Sequence, residues 1–240
     1  MKSKSESSLA GEAYSVIRDR IMRGEVAIGQ VISRRKVAAE LGMSFLPVSE
    51  AFLRLEFEGL LESRPRAGTR VRIPNEQDVT GQYVVREGLE VQAAKLFALN
   101  STLEERAELQ KLAIRVDALA AQPEADRSVY VNLHEKLHHK IAEYARCPAL
   151  SSAMEKTCAL SSIWFCIDRF YQSGRARRHQ DLMDALSTGD PDSATSAMRC
   201  HILTSRDRML QALEPYFRLN EEQGQTYSRG GRKRQILEVA

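Results

Sequence analysis

Residues 134–139, HEKLHH, hold three of the five histidines in this 240-residue chain. Within them, His134, Glu135 and His138 form an H-E-x-x-H string, in which two imidazoles can bind zinc while the glutamate serves as a general base. Residues four positions apart share a helix face, so His134 and His138 can bind one metal ion together. His139 is turned by about 100° from His138 and points elsewhere. The string alone therefore allows a zinc-dependent hydrolase or a metal site of another kind.

Composition and length indicate a globular protein of two domains. The chain is 43% hydrophobic and 28% charged, and its length exceeds the roughly 100 to 200 residues of one domain. It has no run of 18 or more apolar residues and no signal-peptide stretch, so we expect no membrane segment and a cytoplasmic location. The four cysteines form no C-x-x-C pair, which argues against a zinc ribbon or a disulfide framework.

Charge is distributed unevenly along the chain. Residues 1–74 carry 13 Lys and Arg against 9 Asp and Glu, whereas residues 75–219 carry 18 against 20. A basic excess at one end favours nucleic-acid binding by the N-terminal segment and a different task for the remainder.

The pattern of residues 10–74 predicts a winged helix-turn-helix domain. A first helix over 10–23 has apolar residues at helical spacing. Ser33 and Ser44 are placed to cap two further helices, over 34–41 and about 45–58, and Gly42 lies in the short turn between them. Two strand-like runs, LLESR and TRVRI, flank PRAG and predict a β-hairpin wing.

Residues 75–220 predict an all-α antiparallel bundle, because they contain helical patterns and no strand pattern. The helical patterns cover residues 77–99, 101–122, 128–145, 149–171, 175–187 and 191–213. The second begins with two overlapping capping boxes, from Ser101 to Glu104 and from Thr102 to Glu105. The fold class is therefore mainly α. Residues 1–9 and the glycine-rich, basic residues 221–240 are expected to be flexible.

Residues 14–74 resemble the DNA-binding domain of the GntR family of regulators. The agreement runs from IRDRIMRGEVAIGQ through VAAELGMS and PVSEAF to the glycine-bearing wing. The helical region resembles the FCD sensing domain of the FadR branch, in its shorter VanR-like form. The resemblance implies a ligand-responsive transcription factor, here a repressor that binds double-stranded DNA as a homodimer. Two recognition helices about one DNA turn apart would match a palindromic operator.

The resemblance places DNA contacts on the second and third helices and on the wing. Phe45 and Ser49 stand where the family motif SRxPVREAL has arginines, which can bond bidentately to guanine. Phe45 instead suits a thymine methyl, and Ser49 a base edge or a phosphate. The residues expected to contact DNA are Arg34, Arg35, Ser44, Phe45, Ser49, Arg66 and Arg70.

The resemblance also implies a metal site, made in the family by an aspartate and three histidines. His179 in RRHQDL and His201 in AMRCHI stand in matching contexts, and His134 occupies the position of the aspartate. The expected ligands are His134, His138, His179 and His201. Imidazole nitrogen suits zinc, and also nickel, iron and copper, better than manganese or magnesium. On this interpretation H-E-x-x-H arises by coincidence beside a surface glutamate, and the protein is not an enzyme.

Arg86, in VVREGLE, matches an arginine for which the resemblance implies binding of a carboxylate effector. A guanidinium can hold a carboxylate through two parallel hydrogen bonds. The competing interpretation is a salt bridge from Arg86 to Glu90, one turn later in the same helix. Two functional alternatives to the effector-responsive regulator also stay open, namely a zinc-dependent hydrolase and a regulator for which the metal itself is the signal.

Overall fold

The computed structural model describes residues 8–64, 67–122, 126–155, 157 and 178–232. Its N-terminal part is a winged helix-turn-helix, as the sequence predicted. The elements of this part are α1 (Leu9–Met22), β1 (Val31–Ile32), α2 (Arg34–Leu41), α3 (Phe45–Phe57), β2 (Leu61–Arg64) and β3 (Gly68–Val71). The buried faces of α1 and α3 pack together, with α2 and the sheet closing the small core around Phe52.

The helix-turn-helix is set by local signals that the sequence already carries. The Ser33 hydroxyl accepts a hydrogen bond from the Lys36 amide at the start of α2. Gly42 ends α2 with φ 63°, a left-handed conformation that costs glycine little and allows the sharp turn into α3. Ser44 precedes α3 as expected, but its side chain makes no capping hydrogen bond.

The wing has three strands rather than the two of the predicted hairpin. The sheet order is β1-β3-β2, and Val31 and Ile32 pair antiparallel with Arg70 and Thr69. No strand was predicted at these two residues, which lie between the first two predicted helices. A strand of two residues is too short to show the alternation of polar and apolar positions by which strands are found.

The remaining described residues are helical. They form α4 (Glu76–Asn100), α5 (Leu103–Ala120), α6 (Arg127–Tyr144), a helical segment at 148–155, α7 (Arg178–Leu186) and α8 (Pro191–Arg232). Helix α4 lies along α8 and also contacts α6, while α5 packs between α6 and α7. Most of the predicted pattern over 149–171 lies outside the described residues. None of the described helices is long and apolar enough to cross a membrane.

Two local predictions in this region were wrong. Helix α5 begins with one capping box, Thr102 with Glu105, because Ser101 instead ends α4 and accepts a hydrogen bond from Arg106 Nε. Helix α8 continues past its predicted end near residue 213, through Pro215 and as far as Arg232. Residues 221–232 of the tail are therefore helical, which shows how weakly proline and polar composition bound a helix end.

Candidate metal centre and DNA-binding face

The structure brings together the four histidines expected to bind a metal. His134 and His138 lie one turn apart on α6, His179 lies in the first turn of α7, and His201 lies on α8. One nitrogen from each falls within 4.8 Å of the others. The first three are buried and His201 is partly buried. Three separate helices therefore direct imidazoles into one small volume inside the bundle.

Asp117 of α5 orients His179. Its Oδ1 lies 2.6 Å from His179 Nδ1, and its Oδ2 accepts the backbone N–H groups of His179 at 3.1 Å and Gln180 at 3.0 Å. Asp117 was not among the site residues predicted from the sequence. Its position in the sequence does indicate a buried, paired carboxylate. Asp117 falls in the apolar stripe of α5 with Leu109, Ala113 and Val116, where a carboxylate needs a buried partner.

Glu90 of α4 places a second carboxylate beside a histidine of the cluster, His138. Its Oε2 lies 2.6 Å from His138 Nδ1, at an angle poorer than that of a good hydrogen bond, while Oε1 accepts Arg86 Nε at 2.6 Å. Burial by itself raises the pKa of Glu90, but the adjacent Arg86 guanidinium and His138 together hold it at about 2. The predicted salt-bridge alternative for Arg86 is thus present, and the guanidinium also lies over the Tyr83 ring.

The electrostatic environment keeps imidazoles in this cluster neutral. Burial lowers the pKa of His134 and of His201 well below the usual histidine value. Burial likewise lowers the pKa of His179 to about 4, although Asp117 acts in the opposite direction. A histidine binds a metal only in its neutral form, so these three side chains are ready to coordinate near pH 7.

His138 and His179 each have a nitrogen atom that a metal could use. His138 and His179 each turn Nδ1 to a carboxylate, and the Nε2 atoms of both are buried without a hydrogen-bond partner in the described part of the chain. Buried polar atoms are almost always partnered. Tetrahedral zinc needs nitrogen atoms about 3.3 Å apart. The observed limit of 4.8 Å therefore requires only a small inward movement, and the residues present fit a divalent ion.

Glu135, the third residue of the H-E-x-x-H string, contacts the DNA-binding domain. Its Oε1 lies 3.5 Å from Arg18 Nη2 of α1, and both side chains are mostly buried. Burial raises the pKa of Glu135 despite the opposing effect of Arg18. The glutamate is therefore part of the contact between α6 and α1.

The side chains predicted to contact DNA differ in their solvent exposure. Arg35 and Ser44 are exposed, Ser49 is partly buried, and Phe45 is 53% exposed at the start of α3. Its neighbour Leu46, which the sequence analysis did not select, is 67% exposed. The recognition helix thus begins with two adjacent apolar side chains in solvent.

Two of the four arginines expected at the DNA face are engaged within the domain. Arg34 pairs with Glu56 at 2.5 Å, and Arg70 pairs with Glu62 at 2.5 Å. Arg66 lies outside the described residues. For Arg34 and Arg70, a carboxylate on the same domain already offsets the positive charge that DNA would attract.

A winged helix-turn-helix joined to a helical bundle with an internal polar site defines a class of protein, the DNA-binding transcriptional regulators. Residues 9–71 match the family described as bacterial regulatory proteins, gntR family, and residues 82–204 match the FCD domain. The chain belongs to the GntR family of bacterial regulators and carries an FCD domain. It is not an enzyme, and the hydrolase interpretation of H-E-x-x-H was wrong.

Relatives of known name are similar over most of the chain. A probable D-xylose utilization operon transcriptional repressor of Paenarthrobacter nicotinovorans is 29% identical over 84% of this chain and 88% of its own length. The HTH-type transcriptional repressor RspR of Escherichia coli K12 is 25% identical over 80% of this chain and 84% of its own.

Solved structures share the fold. A GntR transcriptional regulator from Rhodococcus sp. RHA1 superposes with a TM-score of 0.72 and 22% identity, over 85% of this chain and 99% of that one. The Escherichia coli protein McbR/YncC superposes with a TM-score of 0.67 and 20% identity, over 85% and 98%. At these identities the likeness supports the architecture alone.

Proposed function

We propose that this protein is a repressor that binds a palindromic operator as a homodimer and leaves it when a small anionic metabolite binds at a metal-containing pocket. The observation that carries the proposal is the convergence of four histidines, from three helices, with their ligand atoms within 4.8 Å of one another. Two similar proteins bear the name repressor, which supports the direction of control.

The metal would be held by His134, His138, His179 and His201, with zinc the preferred ion and nickel, iron or copper the alternatives. A bound ion of this kind supplies a Lewis-acidic centre that can accept a carboxylate oxygen if one coordination position stays open. The chain's own contribution is to bring the four imidazoles into one small volume and to keep His134, His179 and His201 neutral by burial.

A cavity beside the histidines is the candidate effector pocket. It has a volume of about 510 Å³ and lies beside His201 between α7 and α8, and its charged lining residues are Arg178, Arg208 and Asp181, which together favour an anion by one net positive charge. Cavities of this size hold small metabolites. Arg86, for which a carboxylate-binding role is proposed, lies deeper in the bundle and would have to share its guanidinium between the effector and Glu90.

The contact between Arg18 and Glu135 offers a route from the pocket to DNA. Glu135 follows His134 directly on α6, and Arg18 lies on α1, which packs against the recognition helix α3. A shift of α6 that accompanies metal or effector binding would therefore reach the DNA-binding domain in one step. Release from DNA requires that the effector bind the DNA-free arrangement more tightly than the DNA-bound one.

Elemental analysis and DNA binding together test the proposal. Protein purified without chelators or nickel resin should contain one divalent ion per subunit and should bind a palindromic site selected from random DNA. His179→Ala should lose the ion, whereas the control His139→Ala should keep it. Members of a panel of small carboxylates should weaken DNA binding by the loaded wild type.

Three results would count against the proposal in different ways. A wild type that contains no stoichiometric metal and gains no stability from zinc, nickel or cobalt removes the metal pocket. Release of DNA by the metal alone makes the metal the signal. Selected sites without two-fold symmetry contradict binding as a homodimer to a palindrome.

A further inference from the structure

We propose that Glu90 and Asp117 are positioning residues of the metal centre, each holding one histidine with Nε2 directed at the ion and together supplying negative charge around it. The inference rests on the proposed metal-binding function. Neither carboxylate belongs to a helix that carries a ligand, since Glu90 lies on α4 and Asp117 on α5. The carboxylates therefore connect two further helices of the bundle to the site.

The contacts of Asp117 determine which tautomer His179 adopts. Its carboxylate already accepts the backbone N–H groups of His179 and Gln180, which fixes its position before the imidazole is considered. With Asp117 Oδ1 at 2.6 Å, Nδ1 of the neutral ring must carry the proton, because the carboxylate can only accept. The lone pair is then on Nε2, the buried atom without a partner in the described residues.

Glu90 lies beside His138 Nδ1 at 2.6 Å, with poorer hydrogen-bond alignment than Asp117 has toward His179, and it also binds Arg86. Its two oxygen atoms divide their contacts, with Oε2 facing His138 Nδ1 and Oε1 accepting Arg86 Nε. Metal-binding histidines usually donate their second N–H to a carboxylate or carbonyl, which raises the basicity of the coordinating nitrogen. A buried glutamate held by Arg86 keeps its charge and can perform this role.

The charge of a divalent ion gives an independent reason to expect both carboxylates at a metal centre. Four neutral imidazoles leave a divalent ion with its full double positive charge in a buried site, which is costly without nearby anions. Glu90 and Asp117 bring two negative charges within one imidazole width of the ion, and Arg86 offsets one of them. The resemblance to the FCD domain implies a coordinating aspartate in place of His134. In this chain, where His134 stands at that position, Glu90 and Asp117 supply negative charge next to the coordinating imidazoles.

Zinc affinity of conservative variants tests the proposal. Glu90→Gln and Asp117→Asn keep the shape and an acceptor oxygen but remove the charge, and each should weaken zinc binding by about 10- to 100-fold. Glu87→Gln is the matched control, because Glu87 lies one turn from Glu90 on the same helix and pairs with Arg199 on the surface. Its zinc affinity should equal that of the wild type. Affinity would be measured by competition with a chromophoric chelator.

The tautomer of the wild-type histidines gives a second test that does not depend on the folding of a variant. Nitrogen-15 NMR of the metal-free protein should show His179 and His138 protonated at Nδ1, and zinc should shift the Nε2 resonances. Protonation at Nε2 in the metal-free protein would overturn the inference. Unchanged zinc affinity in both variants would also overturn it while leaving the proposed function intact, whereas a wild type that binds no zinc overturns both.

Discussion

Replacing Glu90 with glutamine removes a buried charge that the folded protein stabilises. The carboxylate is 1% exposed and has its pKa lowered from 4.5 to about 2 because, against the effect of burial, Arg86 and His138 favour its ionised form. A difference of one pKa unit corresponds to about 1.4 kcal/mol. The metal-free Glu90→Gln variant should therefore be less stable than the wild type by roughly 3 kcal/mol at pH 7.

The pH dependence of this difference follows from the direction of the shift. A carboxylate whose pKa is lower in the folded state stabilises the protein above its unfolded pKa and loses that contribution as the pH falls through its folded pKa. The difference between wild type and Glu90→Gln should hold from pH 7 to about 5 and shrink below the unfolded pKa of about 4.5 toward about 2.

Glu135→Gln is the informative comparison, because burial raises the pKa of Glu135 and the folded state disfavours its charge. This variant should unfold at the urea concentration of the wild type or slightly above it, and it should still bind DNA as a regulator does. Urea unfolding of both variants with a chelator present measures the two effects. A Glu90→Gln variant as stable as the wild type, or one more stable than Glu135→Gln, would refute the charge assignments in the cluster.

Three further predictions concern the metal ligands, the contact between the domains and the DNA-binding face. His134→Asp should keep a bound ion while shifting preference toward harder ions such as manganese, and metal competition measured by elemental analysis would show no shift if His134 does not coordinate. Arg18→Ala should reduce the effect of an active carboxylate on the DNA affinity of the zinc-loaded protein without altering zinc affinity, and an unchanged response would exclude the contact with Glu135 as the route between the domains. Because Phe45 and Ser49 stand where the family motif has arginines, selected operators should depend less on guanine than is usual for the family, and replacing a contacted thymine by uracil should weaken binding to the wild type more than to Phe45→Ala. Undiminished guanine preference would mean that other residues read those bases.

Local features of the fold were predictable from the sequence, since they depend on neighbours a few positions away. Ser33 and Gly42 bound α2 as expected, and apolar spacing located the helices of both regions. The i, i+4 spacing of His134 and His138 likewise implied a shared helix face before any packing was known. The proximity of His179 and His201 was expected only through the family resemblance, because no local rule connects residues so far apart.

The partners of charged groups were decided by the tertiary structure alone. Asp117 is 62 positions from His179, and Arg18 is 117 positions from Glu135, so no local pattern relates the members of either pair. The same holds for Arg34, whose charge looked available to DNA until packing placed Glu56 beside it. Side-chain spacing along a helix shows which residues face inward, whereas the choice of ion-pair partner depends on which helices become neighbours. Packing therefore decided that Asp117 and Glu90 stand behind two of the histidines.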